Sequence, residues 1–200
     1  MNNSFFALIG RMRYIGRWGL MRTTISENIQ EHSHMVAVLA HALAVIRRDI
    51  FGKPCDPNAC AAEALFHDAS EILTGDLPTP IKYNNPGIIG AYKAIEREAG
   101  EQLLRALPEE LIPAYRSVLT PEKEHELVKA ADKLSAYIQC VEERKAGNVE
   151  FATAEKQTLQ ALHTMEIPEL EYFLEHFMPS FELTLDEQQL SLAPRDSENQ

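Results

Sequence analysis

The sequence predicts an all-α fold, built as a single helical bundle. Apolar residues recur at spacings of three and four in nearly every segment, and no segment shows the strict alternation of a half-buried strand. Proline, glycine and polar capping residues separate these segments at ordinary helix lengths. A chain of 200 residues, 45% of them hydrophobic, can bury a sizeable core, and it shows no repeat or internal linker.

The N-terminal quarter predicts a short helix, a loop and a long helix. Residues 4–14 have the pattern of a short amphipathic helix. Residues 15–27 contain two glycines, several Thr and Ser side chains and the only tryptophan, which predicts a loop. A long helix should follow over about 28–49, with Ser26 or Asn28 as its N-cap.

The next helix should end in a stiff loop. Aspartate and proline at 56–57 supply an N-cap and a first helical residue, so we expect a helix from there to Thr74, ended by Gly75. Pro78 and Pro80 push the residues before them into extended geometry. The segment after the helix is therefore predicted not to be helical.

The C-terminal half should continue as helices. Beyond Phe181 the apolar pattern fades into polar residues and proline, so we expect one domain over residues 1–185 and a mobile tail over 186–200. The segments with a helical period cover about 87–106, 109–118, 121–146, 149–164 and 168–177.

Charge and cysteine content restrict the classes of function. A formal net charge of −11 argues against binding a nucleic acid polymer, whose affinity depends on many Lys and Arg contacts to phosphates. A small anionic substrate remains compatible, since one Arg and a metal ion can reverse the field locally. Cys55, Cys60 and Cys140 lack zinc-site spacing and predict free thiols, mainly as small core residues.

The sequence predicts a cytoplasmic protein with no membrane attachment. No apolar run approaches the roughly 20 residues that a membrane helix needs. The apolar stretch near the N-terminus is too short for a signal sequence, and its arginines follow it rather than precede it. Free thiols are also typical of a reducing compartment.

His32 is the first candidate metal ligand. It shares a helical face with Val36, Leu39 and Leu43, which places it on the buried side of the long helix. His41 falls on the outer side and is a poor candidate. The alternative for His32 is a core histidine that serves packing alone.

His67, Asp68 and Glu71 form a compact group near the end of the helix predicted over 57–74. The adjacent His and Asp can reach one ion, and Glu71 lies one turn further on, where it can handle a water or a proton. The C-terminal end of a helix also favours a cation. The alternative is an ordinary dipeptide, which this composition would place in about a quarter of such chains.

Asp132 is the fourth candidate. It borders the apolar stripe of its helix, between Ala131 and Leu134. A carboxylate in that position must be paired or bound to an ion, because burying it alone is costly. A salt bridge with a nearby lysine, or a capping role, is the alternative.

Together these residues resemble a known family. The order of His32, His67-Asp68 and Asp132 is the H…HD…D pattern of the HD-domain metal-dependent phosphohydrolases. The resemblance covers about residues 4–187, with no departure at a motif position. The segments that resemble the bacterial 5'-deoxynucleotidases of that superfamily are Glu27–His32, His67–Pro80 and Lys129–Asp132, together with Arg17-Trp18 and the ending Tyr172-Phe173…Pro179-Ser180-Phe181.

The resemblance implies an all-helical homodimer with an HD-domain bundle. Its implied reaction is the hydrolysis of deoxyribonucleoside 5'-monophosphates to the deoxynucleoside and phosphate. His32, His67, Asp68 and Asp132 would hold one divalent metal ion. Cobalt is the expected ion, with manganese or copper also accepted, since two imidazoles and two carboxylates suit several first-row metals.

The resemblance also implies roles for the other residues. By its position one turn beyond the ligand pair, Glu71 could orient the attacking water or move its proton, and Asp76, on the following loop, could do the same on the leaving-group side. The sequence does not separate these two roles. Arg17 would bind the phosphate, and Trp18 would pack on the sugar and crowd a 2'-hydroxyl. Without the resemblance, Arg17 would be interpreted as a surface arginine and Trp18 as an aromatic residue at the edge of the core. The predicted substrate-binding residues are Arg17, Trp18, His32, Asp68, Asp76, Leu77, Pro78, Thr79 and Asp132.

Two other functions stay open at this point. One is an HD-type phosphohydrolase for nucleoside triphosphates, cyclic dinucleotides or guanosine alarmones. Such enzymes usually carry extra basic residues or a second metal motif, and neither is present in this sequence. The other is a non-catalytic helical module that uses the site for structural metal or for regulation.

Overall fold

A computed structural model describes residues 3–78, 85–121 and 126–188 of the chain. Within these ranges the chain is helical and contains no strand, which confirms the predicted all-α class. An isolated antiparallel bridge joins Gly16 to Asn28 and closes the loop between the first two helices.

A loop over residues 15–28 separates the N-terminal helical segment from the long helix that follows. Four of the described helices are extended by other helical turns: 3₁₀ turns at Gly10–Tyr14, Glu109–Leu111 and Val149–Phe151, and a π turn at Ile46–Ile50. The α-helices are α1 Phe5–Ile9, α2 Ile29–Val45, α3 Pro57–Phe66, α4 Glu71–Thr74, α5 Pro86–Leu104, α6 Ile112–Leu119, α7 Glu126–Lys145, α8 Ala152–Thr164, α9 Pro168–His176 and α10 Met178–Phe181.

Local capping residues fix the starts of the two helices that carry most of the candidate site. Of the two predicted caps of α2, the structure uses Asn28, whose side chain accepts from the amides of Gln30 and Glu31 at 3.0 and 3.1 Å. The Glu31 carboxylate in turn accepts from the Asn28 amide at 3.3 Å, which completes a capping box. Asp56 caps α3 as predicted, with Pro57 as the first helical residue.

The uninterrupted helix predicted from 57 to 74 is wrong. Residues 67–70 form tight turns between α3 and α4, in which the Ala69 amide bonds to the carbonyl of residue 66 at 3.0 Å. The reason lies at Ala64, whose carbonyl accepts both the amide and the imidazole of His67. In a continuous helix that carbonyl would accept the amide of Asp68 instead. The break therefore falls at the candidate site.

Three helices form the main core. The long helix α2 packs between α3 and α7, and α8 and α9 cover the far side. This packing brings the start of α2, the end of α3 and the first half of α7 to one place. The core side chains on the three helices include Val36, Leu39, Leu43, Cys60, Ala64, Leu127, Leu134 and Ile138.

A second, smaller core lies beside the turn at 67–70. Phe5 and Met12 from the N-terminal segment pack with Leu103 and Leu104 of α5 against Ala69. All five side chains are at most 2% exposed. This cluster, which also includes Ile29 at the start of α2, packs against the turn that carries His67 and Asp68.

The cysteines, the helix lengths and the C-terminal tail bear on three further predictions from the sequence. Cys55, Cys60 and Cys140 are free thiols, as predicted, and the last two are buried. No described helix is long and apolar enough to cross a membrane. The mobile tail predicted over 186–200 falls mostly outside the described residues and stays a prediction, as does the domain boundary at 185.

Candidate metal centre

His32 lies on α2, one turn from its start, and is fully buried. Its Nε2 atom lies 3.0 Å from Oδ1 of Asp132 and 3.6 Å from Oδ2 of Asp68. Its Nδ1 atom lies 3.3 Å from Oγ of Ser135 on α7. The imidazole thus faces two carboxylates on one edge and a hydroxyl on the other, which is more than core packing requires.

His67 caps the C-terminus of α3. A carbonyl oxygen can only accept, so Nδ1 of His67 donates the 2.7 Å hydrogen bond to the Ala64 carbonyl. The opposite nitrogen, Nε2, is buried and lies 3.2 Å from Oδ2 of Asp68, but it makes no hydrogen bond of acceptable geometry to any described residue. A histidine whose one nitrogen is held by a carbonyl presents the other as a metal ligand.

The candidate ligands converge on one point. One ligand atom from each of His32, His67 and Asp68 lies within 4.8 Å of the other two. Asp132 lies against His32, and its side chain is 46% exposed, so it forms the open side of the group. Two imidazoles and two carboxylates, with a buried imidazole nitrogen that faces a carboxylate without a hydrogen bond to it, fit a divalent first-row metal.

The electrostatics of this group favour a positive charge. Burial alone would lower the pKa of His67, but Asp68 and Asp132 raise it to about 9. Burial would likewise raise the pKa of Asp68, but His67, His32 and Arg17 hold it far below its usual value. A field that retains a proton on an imidazole in this way also attracts a cation.

The two predicted proton-handling carboxylates follow directly in the chain. Glu71 is the first residue of α4 and is 5% exposed. Asp76 is half-buried just after Gly75, which has a φ of 72° and ends α4 as predicted. The charge of Asp76 contributes to raising the pKa of Arg17, so the two side chains share one electrostatic environment.

The remaining predicted residues of this loop are only partly described. Leu77 and Pro78 are half-buried and extend the chain away from α4 without helical structure, as predicted. Thr79 and Pro80 lie outside the described residues. The roles predicted for this loop in substrate binding stay predictions.

The loop that carries Arg17 and Trp18 turns back toward the same group. Arg17 donates from Nε to Oε2 of Glu27 at 3.0 Å, and its Nη1 lies 3.6 Å from Oδ2 of Asp68. Trp18 donates from Nε1 to the same Glu27 oxygen at 2.9 Å. Its ring also meets the ring of Phe151 edge-on, with 5.2 Å between centroids. Arg17 is therefore adjacent to the candidate ligands and is not a free surface arginine.

Hydrogen bonds attach this loop to the C-terminal half of α7. The carboxylate of Glu143, 1% exposed, accepts from the amide and hydroxyl of Thr24 at 2.9 Å. It also accepts from the side-chain amide of Asn148 at 2.8 Å. Asn148 in turn donates to the carbonyl of Arg22 at 2.7 Å. One helix thus supplies both Asp132 and the support of the loop.

Three residues of this site have no role in the sequence prediction. Ser135 lies one turn after Asp132, a spacing that would have suggested a contact near the same ligand. Glu27 falls within a segment that resembles the family, but nothing in the sequence indicates what it contacts. Glu143 is 119 residues from its partner Thr24, and no local signal reveals that pairing.

Comparisons with known proteins agree with the geometry. A family model described as 5'-deoxynucleotidase YfbR-like matches residues 4–181. A 5'-deoxynucleotidase from Vibrio cholerae is 51% identical over 187 residues, which cover 92% of this chain and 96% of that protein. These two matches confirm the family that the sequence resembles.

Solved structures support the same fold. An HD-domain phosphohydrolase from Listeria innocua superposes with a TM-score of 0.76 at 23% identity, covering 89% of this chain and 88% of that one. The cyanophage S-2L HD phosphohydrolase DatZ, solved with dA and one catalytic Zn²⁺ ion, gives a TM-score of 0.59 at 22% identity, covering 89% and 96%. From its sequence match over most of its length, the chain belongs to the YfbR-like family of 5'-deoxynucleotidases.

Proposed function

We propose that this protein is a metal-dependent 5'-deoxynucleotidase, which adds water to a deoxyribonucleoside 5'-monophosphate and releases the deoxynucleoside and inorganic phosphate. The observation that carries the proposal is the position of Arg17, whose Nη1 lies 3.6 Å from Asp68 inside the candidate metal group. A fixed guanidinium beside a cation site suits a phosphate dianion. The activity named for its Vibrio cholerae relative is the same.

We assign the metal to His32, His67, Asp68 and Asp132. A divalent ion bound there supplies the positive charge that lowers the pKa of water and polarises a phosphate oxygen. Cobalt is our first choice from the family resemblance, with manganese or copper as alternatives. The zinc ion in the related phage enzyme adds zinc to the metals worth comparing.

Two carboxylates of the chain handle the protons in this proposal. Glu71 starts the short helix directly after the turn of His67 and Asp68, and its burial suits a group that orients one water and accepts its proton. Asp76 lies on the following loop and serves the leaving 5'-oxygen, which must gain a proton as the ester bond breaks.

The substrate would lie between the turn at 67–70 and the loop at 15–28. Arg17 binds the phosphate, and Trp18 packs against the deoxyribose, where its ring leaves little room for a 2'-hydroxyl. Asp76, Leu77, Pro78 and Thr79 line the rest of the pocket in this assignment. His32, Asp68 and Asp132 contact the phosphate side of the substrate as well as the metal.

The assembly and location of the enzyme are part of the proposal. The family resemblance supports a homodimer, which sedimentation equilibrium would reveal as a mass of about twice 22.6 kDa. The free thiols of Cys55, Cys60 and Cys140 support a reducing location in the cytoplasm. Fractionation of cells that express the protein would test the second point.

The decisive experiment is phosphate release from a panel of nucleotides. The metal-stripped protein, reloaded with cobalt, manganese, copper or zinc, is offered dAMP, dGMP, dTMP, AMP, dATP and a cyclic dinucleotide. We expect release from the deoxynucleoside monophosphates, little from AMP, and none from the others. If no deoxynucleotide releases phosphate with metal present, the proposed 5'-deoxynucleotidase activity is refuted. Consumption of dATP or of the cyclic dinucleotide is followed by chromatography, because release of triphosphate or opening of a phosphodiester ring gives no inorganic phosphate. Preferred consumption of either one would indicate another HD-type phosphohydrolase.

A further inference from the structure

A single carboxylate oxygen joins the two side chains to which the proposed function gives the substrate. Oε2 of Glu27 accepts from Nε of Arg17 at 3.0 Å and from Nε1 of Trp18 at 2.9 Å. The Arg17 and Glu27 side chains are each 13% exposed, so water does not replace these bonds easily. No role for Glu27 follows from the metal group alone, because it is not among the converging ligands.

The bond to Glu27 determines which edge of Arg17 meets the substrate. Nε is occupied by the carboxylate, while Nη1 lies 3.6 Å from Asp68 on the metal side. Nη1 of the guanidinium therefore faces the place where the phosphate would lie. An arginine without this bond could turn about its long side chain, and ordering it again would oppose substrate binding.

Trp18 needs support for a different reason. Its backbone has a φ of 60°, in the left-handed region, which an aromatic residue adopts only at a cost in free energy. The indole hydrogen bond to Glu27 and the edge contact with Phe151 oppose that cost. The backbone also assists, since the Arg17 amide donates to the Glu27 carbonyl at 2.9 Å.

The same side chain reaches toward the metal group. Its second oxygen, Oε1, lies 3.8 Å from Nδ1 of His32. Glu27 is therefore next to the phosphate-binding arginine, the sugar-packing tryptophan and a candidate ligand at once. An ion pair that contributed only to stability would not need to contact an arginine, a tryptophan and a candidate metal ligand together.

We propose that Glu27 is the positioning residue of this site, which fixes Arg17 for the phosphate and Trp18 for the deoxyribose through one shared oxygen. The inference rests on the proposed function for what those two residues bind. The proposal also predicts that Glu27 holds the Trp18 side chain in place in the free protein, which can be measured without substrate or metal.

The first test uses intrinsic fluorescence. Trp18 is the only tryptophan in the chain, so emission reports on this side chain alone. In the metal-free Glu27→Gln protein we expect a shifted emission maximum and stronger quenching by acrylamide, because the indole loses its charged acceptor. Unchanged emission and quenching would overturn the inference even if no substrate had been identified.

The second test uses kinetics with a matched control. Glu27→Gln should lower kcat/KM for dAMP by about 10- to 100-fold, the range expected for a lost charge-assisted hydrogen bond. It should also lower the preference for dAMP over AMP, which loss of stability alone would not do. In an Arg17→Ala background its further effect should fall below about threefold, since the group it positions is absent.

Glu150→Gln is the control, because Glu150 pairs with Arg22 of the same loop at 3.1 Å and that arginine is 94% exposed. We expect kcat/KM of this variant to stay within about twofold of the parent protein. A large loss there would show that any disturbance of the loop is harmful, which would overturn the specific role of Glu27.

Glu27→Asp keeps the charge but shortens the side chain by one methylene, so it should also lose activity and remain folded. A Glu27→Asp protein with normal kinetics and normal selectivity would refute the inference. An inactive parent protein would instead refute the proposed function, and the fluorescence result would then decide the inference alone.

Discussion

Nδ1 of His67 donates a 2.7 Å hydrogen bond to the carbonyl of Ala64, three residues earlier in the chain. This bond has two consequences. It removes the acceptor that the amide of Asp68 would use in a continuous helix, so the chain leaves α3 in a tight turn. It also fixes the tautomer of the imidazole and leaves the buried Nε2 toward Asp68. The same hydrogen bond therefore accounts for both the helix break and the orientation of His67 in the candidate metal site.

The first prediction concerns His67 itself. His67→Gln should abolish metal binding at this centre, because an amide is a far weaker ligand than a neutral imidazole. We expect kcat to fall by more than about 100-fold and the thermal stabilisation that added cobalt gives the parent protein to disappear. Differential scanning fluorimetry with and without cobalt, and phosphate release from dAMP, would measure both effects.

A matched control for His67→Gln is available on α2. His41 is exposed and contacts none of the candidate ligands, so His41→Gln should keep the cobalt-dependent shift in melting temperature. An active His67→Gln protein with a normal cobalt response would place the metal elsewhere.

The second prediction separates proton handling from metal binding. Glu71→Gln should keep the cobalt-dependent stabilisation, since all four proposed ligands remain. Its kcat should fall by about 10²- to 10⁴-fold, the usual contribution of a general acid–base group. Glu98→Gln, at an exposed position on α5, serves as the control. Normal turnover by Glu71→Gln would refute the role of Glu71 in moving a proton.

Much of the fold follows from local signals in the sequence. The Asn28 cap, the Asp56 cap with its proline and the positive φ of Gly75 depend on residues within one or two turns, and the structure has all of them. The burial of His32 likewise follows from its helical phase. In these places the periodicity and the end signals agree with tertiary packing.

What the sequence could not provide depends on contacts between distant segments or on one side chain competing with the backbone. The break at 67–70 arises because an imidazole takes a backbone carbonyl, which apolar periodicity does not register. The support of the loop by Glu143 joins residues more than 100 positions apart. The relation of Glu27 to Trp18 depends on a loop whose path no pattern predicts.

The third prediction tests the origin of deoxyribose preference. Trp18→Ala removes the ring that would crowd a 2'-hydroxyl, so the ratio of kcat/KM for dAMP to that for AMP should fall toward one. The change should come mainly from improved use of AMP relative to dAMP, measured by phosphate release at several concentrations. Tyr14→Ala, an aromatic that is 71% exposed just before this loop, should leave the ratio unchanged. An unaltered ratio in Trp18→Ala would mean that another residue causes the preference for deoxyribose.

The fourth prediction is a pH dependence of stability at Glu143. Burial alone would raise the pKa of this carboxyl, but hydrogen bonds from Asn148 and Thr24 hold it below its usual value. A depressed pKa stabilises the folded protein above the unfolded value of about 4.3 and loses that effect as pH falls through the folded value. Glu143→Gln should therefore cost about 1–3 kcal/mol at pH 7.

Urea unfolding followed by circular dichroism from pH 7 to pH 3 would measure this dependence. The free energy of unfolding of the parent protein should approach that of Glu143→Gln as the pH falls below about 4. Glu150→Gln should show no such convergence, because its pair with the exposed Arg22 contributes little at any pH. A constant difference between Glu143→Gln and the parent protein would mean that the charge of Glu143 is irrelevant.

The last prediction concerns a buried ion pair that joins the turn after α2 to α9. Arg47, in the π turn after α2, donates from Nε and Nη2 to the two carboxylate oxygens of Glu169 at 2.8 and 3.1 Å. The Glu169 side chain is fully buried and that of Arg47 is 13% exposed. Arg47 also pairs with Glu126, whose side chain is 59% exposed, so it keeps one carboxylate partner when Glu169 is removed. Glu169→Ala should therefore cost about 1–3 kcal/mol of unfolding free energy, the range for losing hydrogen bonds to a charged group. The neighbouring pair of Arg48 and Asp49 is about half exposed, so Asp49→Ala should leave the free energy of unfolding almost unchanged. Equal losses in the two variants, measured by urea unfolding, would show that burial does not distinguish the pairs.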